Sequence, residues 1–487
     1  MTPSSYSLGR LPVTDLSRAR LERGAAGRYL RPMEHRRALI LAAMSILGCS
    51  AGPDAELELG TSRAALSEPM PLKHVLIIVK ENHTFDNYFG SFPGVDGTLS
   101  ESGENLCPTP AGTIECPHAP NVPDHDLCHS HSCGLVDWNQ GQMDGWNLRG
   151  GSDTGDLLAY AQYDERDIPS YWAYARTYAL GDHFFSGMLG PSFPGHLFTV
   201  AAQAAWAVAN PPTDLPFKIR LFPPAFYGPH PYWGCDEWPG DKVSILAGGS
   251  TSASVRPCFD IPSLPDVLPE GVDWKFYGTN WDGLFSEIWS PFNAVSSIRN
   301  DPARWSRVVG VDRFSADLRA GALPSVAWLV DQDQNSEHPD LEVPGLDIPL
   351  GGVCEGENWT VHFVNQLMQS EYWNESAILV TWDDFGGWYD HVPPPRQYGG
   401  TPTAPYGLGL RMPLLIVSPY AKPGFVFREN ADQASLARFV ERVFGAESTL
   451  ADLDPAAQDA EANDLFGAFD FEQQPLPPLI RPERDCN

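Results

Sequence analysis

The sequence predicts an α/β fold: a doubly wound, mostly parallel sheet with helices on both faces and loop-rich insertions. Three observations carry this. Four short, continuous apolar runs recur along the chain: HVLIIV (74–79), PSVAWLV (324–330), AILVTW (377–382) and MPLLIVSP (412–419). Such runs suit strands covered on both faces. Helical patterns separate them, in IPSYWAYARTYA (168–179), HLFTVAAQAAWAVA (196–209), WTVHFVNQLMQS (359–370) and QASLARFVERVF (433–444). Polar residues stand directly after the runs, and a doubly wound sheet binds its ligands beyond the carboxyl ends of its strands.

In chain order, the first element is an address. MEHRRALILAAMSILGC (33–49) has a basic front, an apolar stretch too short to span a bilayer and small residues at its end, the anatomy of a signal peptide. Its ILGC ending resembles a bacterial lipobox with Cys49 as the lipidated residue, so export to the envelope, periplasm or medium is expected. Residues 1–49 are thus an upstream extension plus leader, 50–72 a linker, and 73–487 a single domain. Two stretches at about 207–260 and 279–305 break the alternation with Pro, Gly and aromatic residues and read as insertions over the sheet edge. Trp281, Phe285, Trp289 and Phe292 in the second could wall an apolar approach to a site.

Setting Cys49 aside leaves eight of the nine cysteines, an even set suited to an oxidising compartment. Pairs such as Cys107 with Cys116 and Cys128 with Cys133 are expected. Lys plus Arg number 32 against 62 Asp plus Glu, a net charge of −30. That field repels nucleic acid and anionic bilayers. Any phosphate must be recognised locally, by a metal, histidines or backbone amides.

The first run delivers Glu81 and Asn82, and the third delivers Asp383 and Asp384 followed by Gly386 and Gly387. Successive strand residues point to opposite faces, so both aspartates reach one ion only if the strand ends and the chain turns there, as the glycines permit. A divalent cation is the usual remedy for such a carboxylate pair, although a solvated acidic loop reads equally well. Oxygen donors favour Ca²⁺, Mg²⁺ or Mn²⁺, while nearby histidines leave Zn²⁺ or Fe open.

In GMLGPSFPGHLF (187–198), Pro194 suits a first helical turn and puts Ser192 just outside the helix amino terminus. A serine there, beside a metal, can attack phosphorus, though an ordinary capping serine would look the same. His129, His338 and His391 add acid–base capacity; singly, each reads as well as a structural histidine.

Together the segments HVLIIVKENHTFDNYFG, DLCHS…WNQGQMDGW, GDHFFSGMLGPSFPGHLF, FDIPSLPDVL…VDWKFYG, SEHP, SAILVTWDDFGGWYDHVPPP and GLGLRMPLLIVSPYAKPG resemble, in order, the bacterial phosphoesterase family. That family contains the non-haemolytic-type phospholipases C and secreted acid phosphatases, within the alkaline-phosphatase-like superfamily. The resemblance implies one divalent metal ion held by Glu81, Asn82, Asp383 and Asp384, a nucleophile at Ser192, and His129 and His338 on the phosphoryl group. Asp390 and His391 would stand behind these residues and hold them in place. Three positions depart from the pattern: Gly195 stands where many relatives carry Asn, Gln433 replaces a common histidine and is left out of the site, and Ser192 replaces the threonine of many phospholipases.

The expected function is therefore phosphoric ester hydrolysis. Phospholipase C action on phospholipid head groups is favoured by the aromatic residues and the lipid anchor, and membrane contact would come through that anchor or through the substrate. A secreted acid phosphatase acting on monoesters is the alternative, and a non-catalytic lipoprotein that binds phosphorylated ligands is a third reading. No protein partner is implied.

Overall fold

The computed structural model describes residues 70–146, 148, 157–211, 234–236, 242–247, 251–278, 290–331, 335–339, 352–395 and 407–486. The leader, Cys49 and almost all of the linker lie outside them, as do Trp281, Phe285 and Trp289. Among the described residues no helix is long and apolar enough to cross a membrane.

The strands are β1 (His74–Lys80), β2 (Leu106–Thr109), β3 (Gly112–Glu115), β4 (Ala179–Phe185), β5 (Val243–Ala247), β6 (Thr251–Val255), β7 (Trp274–Tyr277), β8 (Val308–Val309), β9 (Val326–Val330), β10 (Ser376–Trp382), β11 (Arg411–Val417), β12 (Phe425–Phe427) and β13 (Ala431–Asp432). The helices that matter for the site are α1 (Phe85–Phe89), α2 (His131–Trp138), α3 (Pro169–Thr177) and α4 (Ser192–Ala201), with two longer ones over Val353–Met368 and Gln433–Phe444. The main sheet runs β12-β4-β11-β10-β1-β9-β7-β8, and β13 also pairs with β4. Every pairing in it is parallel except the two made by β11. The predicted fold class is the observed one.

The apolar runs became central strands because they have no polar face to turn outward: every residue of β9, β10 and β11 is buried. The direction of β11 corrects one expectation. Its carboxyl end does not join the others; Ser418 beyond it hydrogen-bonds the carbonyl of Ser376 at the start of β10 (2.9 Å). Its first residue, Arg411, arrives instead at the edge where β1 and β10 finish. Strands β4 and β7 were not read from sequence. In β4, ALGDHFF, the apolar run is broken by Gly181, Asp182 and His183, and Gly181 is where β11 comes closest: a Cβ there would lie 3.0 Å from Cβ of Leu414.

The helix Gln433–Phe444 has the span its periodicity predicts. Asp432 caps it by accepting from the N–H groups of Ala434 and Ser435, and Gly445 ends it at φ 66°. Both anticipated disulfides form, Cys107–Cys116 and Cys128–Cys133, with Cys235–Cys258 and Cys354–Cys486 besides. The described part of the second insertion is not a lid. Phe292 is fully buried, packed edge-on against Phe276 and Trp328 of the sheet and tilted on Trp274. Phe292 is thus a core residue and lines no substrate approach.

Candidate active site

β1 and β10 are parallel neighbours in register, Lys80 opposite Trp382. They end together, which sets Glu81 and Asn82 beside Asp383 and Asp384. Oδ1 of Asp383 accepts two backbone N–H groups, from Asn82 (2.8 Å) and Asp384 (2.8 Å), leaving Oδ2 to face the site. The chain then turns: Oδ1 of Asp384 accepts from the N–H of Gly386 at 2.6 Å. Gly386 takes φ +57°, and a Cβ there would fall 2.3 Å from the carbonyl oxygen of Asn82. The turn that brings both carboxylates to one side requires that glycine. All four candidate ligands are buried.

α4 supplies the opposite wall. Ser192 is its first residue, following the N-cap Pro191, one step further into the helix than expected. Its hydroxyl donates to Oδ2 of Asp384 at 3.2 Å. The next N–H, of Phe193, is taken by the side chain of Asn210 at 2.8 Å. A Cβ on Gly195 would lie 2.1 Å from the carbonyl oxygen of Asp383, so α4 sits directly on the end of β10. This contact accounts for glycine at that position.

Three residues that sequence reasoning passed over belong to this centre. His196 is fully buried, its Nε2 2.7 Å from Oε1 of Glu81 and 3.8 Å from Oδ2 of Asp383. The signal was an imidazole inside an otherwise apolar helix, which reads as core. Gln433 is buried, donates to the carbonyl of Asp383 (2.7 Å) and accepts from the N–H of Gly187 (2.9 Å); it braces the strand end against the loop leading to Ser192. The third is Glu337.

Burial dominates the electrostatics. It lifts the Asp383 carboxyl to about 7, with the Glu81 charge adding to the rise, and holds Asp384 well above the usual carboxylate range, with Asp383 adding. It lowers the His196 imidazole to about 4 against the pull of Asp383. Both polar atoms of the Asn82 side chain, Oδ2 of Asp383 and Nδ1 of His196 are buried without a hydrogen-bond partner. Buried groups left in this state ask for a further partner. The donor set of carboxylates, an amide oxygen and a nearby imidazole fits a divalent cation, and Glu81, His196 and Asp383 offer atoms within 4.8 Å of one another.

His129 and His338 come together, ring centroids 5.7 Å apart at 76°. Nδ1 of His129 lies 2.7 Å from the carbonyl of Leu127, and Nδ1 of His338 lies 2.6 Å from that of Pro339. A carbonyl only accepts, so each Nδ1 carries the proton and each Nε2 is left to meet a ligand. Asp126 stands with them, their candidate ligand atoms within 4.8 Å of one another, and the segment carrying Asp126 and His129 lies against the turn after Asp384, where a Cβ on Gly387 would fall 2.5 Å from Cβ of Leu127.

Glu337 fixes His338. Its backbone is at φ +76°, a region an ordinary side chain enters only when held there. The hold is its buried carboxylate, which accepts from the hydroxyls of Tyr171 (2.6 Å) and Tyr88 (2.7 Å) and from the indole of Trp382 (2.9 Å), 3.6 Å from the buried ammonium of Lys80. His83, its Nε2 3.1 Å from the Glu337 carbonyl, grips the backbone.

Asp390 and His391 fall in a different cluster. Buried Arg411 pairs with Asp86 (2.8 Å), Asp390 (3.0 Å) and Asp182 (3.3 Å), and His391 joins Asp86 at 2.6 Å. These groups tie α1, β4 and the loop after β10 together.

A mostly parallel sheet ending in buried carboxylates, with a helix-terminal serine on one of them and a pair of histidines, is a constellation suited to hydrolysis of an ester bond. The profile of the Phosphoesterase family matches residues 72–447, and the chain belongs to that family, whose members hydrolyse phosphoester bonds. Phospholipase C A of Mycobacterium tuberculosis is 25% identical over 458 residues, spanning 83% of this chain and 78% of its own. The non-hemolytic phospholipase C of Pseudomonas aeruginosa is 26% identical over 461 residues, spanning 84% and 59%. Among solved structures, a protein of the alkaline phosphatase superfamily from Vibrio parahaemolyticus aligns over 81% of this chain and 72% of its own, with 11% identity and a TM-score of 0.35.

Proposed function

We propose that this protein is an exported, metal-dependent phospholipase C that cleaves the phosphodiester of phospholipid head groups through Ser192. The observation that carries the reading is the seating of Ser192 at the start of α4, its hydroxyl on Asp384 at 3.2 Å and the histidine pair close by. Relatives named phospholipase C support the substrate class.

Glu81, Asn82, Asp383 and Asp384 are the residues that would hold the divalent cation. Such an ion supplies positive charge that lowers the pKa of a neighbouring hydroxyl and offsets charge on phosphoryl oxygens. The protein's own groups do the rest. Oγ of Ser192 gives its proton to Oδ2 of Asp384, the acceptor it already has, and attacks phosphorus, forming the Ser–O–P bond while the bond from phosphorus to the diacylglycerol oxygen breaks. His129 and His338, with Nε2 protonated as well as Nδ1, donate from Nε2 to the phosphoryl oxygens, and one of them passes that proton to the departing alkoxide. Water then cleaves the phosphoserine, releasing the phosphorylated head group and restoring the hydroxyl.

The burial of Phe292 removes one residue of the expected apolar approach and favours a second reading, a phosphatase acting on monoesters. The test is hydrolysis of p-nitrophenylphosphorylcholine beside p-nitrophenyl phosphate, with and without a chelator. Preference for the choline diester and its loss on chelation are expected. Preference for the monoester makes the protein a phosphatase, and activity indifferent to chelation removes the metal from the reading.

A further inference from the structure

The wall of the carboxylate cluster formed by α4 is an imidazole, and the sequence around it is arranged to put it there. Nε2 of His196 lies 2.7 Å from Oε1 of Glu81 and 3.8 Å from Oδ2 of Asp383. Ligands about 2 Å from a common ion stand no more than ~4 Å apart, so these spacings suit three donors to one centre. His196 is fully buried yet is not a satisfied core histidine. Its Nδ1 has no hydrogen-bond partner, and neither has Oδ2 of Asp383.

Gly195 explains how the ring gets so close. With a Cβ 2.1 Å from the carbonyl oxygen of Asp383, any side chain at 195 would lift the first turn of α4 away from β10 and carry His196 with it. The glycine that departs from the family pattern and the histidine beside it thus act as a pair: one removes bulk, the other fills the approach with a nitrogen donor.

We infer that His196 is a ligand of the metal centre, and that the centre accordingly takes a borderline transition ion of the zinc, iron or cobalt class in preference to calcium or magnesium. The inference rests on the metal-dependent reading proposed above. An imidazole is a good ligand for ions of that class, whereas Ca²⁺ and Mg²⁺ seek oxygen donors alone. A site completed by carboxylates, an amide oxygen and one ring nitrogen is matched to the former.

The test is to strip the purified protein with a chelator and titrate it with Co²⁺ and, separately, Ca²⁺, for the natural chain and His196→Gln. The natural chain should bind Co²⁺ more tightly than Ca²⁺. Its Co²⁺ form should show a hyperfine-shifted, exchangeable imidazole N–H resonance. In His196→Gln that resonance should vanish and Co²⁺ affinity fall at least tenfold, with Ca²⁺ affinity little changed. Equal Co²⁺ affinity and superimposable visible spectra for the two proteins would overturn the assignment of His196 while leaving metal dependence intact. A natural chain that binds neither ion would overturn the metal-dependent reading and this inference with it. Should His196→Gln not fold, the natural chain decides alone: no shifted imidazole resonance, or Ca²⁺ bound as tightly as Co²⁺, refutes the inference.

Discussion

Replacing Glu337 by glutamine should be among the costlier single-atom changes available in this protein. The two carboxylate oxygens divide their work: one accepts from Tyr171, the other from both Tyr88 and Trp382. An amide must point its NH₂ at one of these groups. The better choice is toward Tyr171, whose hydroxyl also lies 2.9 Å from Oγ1 of Thr360 and can turn its proton there. Three hydrogen bonds then survive in altered form, and the residual cost is electrostatic. Lys80, fully buried and 3.6 Å from the carboxylate, loses its counter-charge and keeps the carbonyls of Asn335 and Gly356 and the face of Trp359, 4.7 Å away. Removing one partner of a buried ion pair costs about 3–5 kcal/mol, a large part of the ~5–15 kcal/mol by which folded proteins are stable. Urea unfolding at pH 7 should register that loss, and turnover should fall as the strained backbone at 337 releases His338. Lys80→Met in the Glu337→Gln background should recover a measurable part, because it removes the stranded charge. Burial raises the Glu337 carboxyl against the pull of Lys80. A loss below ~1 kcal/mol, typical of one neutral hydrogen bond, would show that the carboxyl is already protonated at pH 7 and refute the ion-pair account.

Ser192→Ala should lower turnover by roughly a thousandfold or more while shifting stability by only ~1 kcal/mol, the value of one hydrogen bond; near-normal turnover in kinetic assays would remove it as nucleophile. His391 makes stability pH-dependent on the alkaline side. Burial opposes its protonation, but Asp86 at 2.6 Å and the Asp390 charge raise it to about 9 from 6.5. Its contribution, at most about 3 kcal/mol, is fully present below pH 6.5 and is lost as pH climbs through 9. Urea midpoints across that interval should fall in the natural chain and fall less in His391→Gln; parallel curves would contradict the assignment. The Cys354–Cys486 bridge closes a loop of sequence separation 132, so the paired change to serine should cost about 5 kcal/mol by loop entropy, read from denaturant midpoints, and an unchanged midpoint would show that the cross-link constrains nothing the fold does not already hold.

The parts of the site legible in sequence were those announced by a change of grammar. A fully apolar run that stops at Glu81–Asn82, or at Asp383–Asp384 with two glycines after it, states both a buried strand and a polar terminus. What stayed hidden has physical causes. Hydrophobic periodicity carries no direction, so β11 could not be seen to run backwards, nor Arg411 to arrive among Asp86, Asp182 and Asp390. His196 sits in a helix buried on all sides, where an imidazole looks like any other core residue until the strand beneath it is known. Gln433 was set aside because it differs from the residue expected there, yet its amide does bracing work that a change of residue type does not rule out. The aromatic residues before Trp305 pointed to a wall, but aromatic content alone cannot distinguish a surface that meets a ligand from one that meets a sheet; Phe292 meets the sheet.

The reversal of β11 has a consequence for how such a protein can diversify. Were β11 parallel to β10, the chain between them would have to pass behind the sheet, usually as a helix whose length and packing are constrained by the layer it joins. Because β11 returns the opposite way, the whole connection from Asp383 to Leu410 begins and ends on the catalytic rim. Beyond the buried Asp390 that connection can lengthen, shorten or change composition without altering strand order or disturbing a helical layer. The one inverted strand thereby converts a structural crossover into a stretch of chain open to variation, anchored at one end by Asp383 and Asp384 and at the other by a buried arginine.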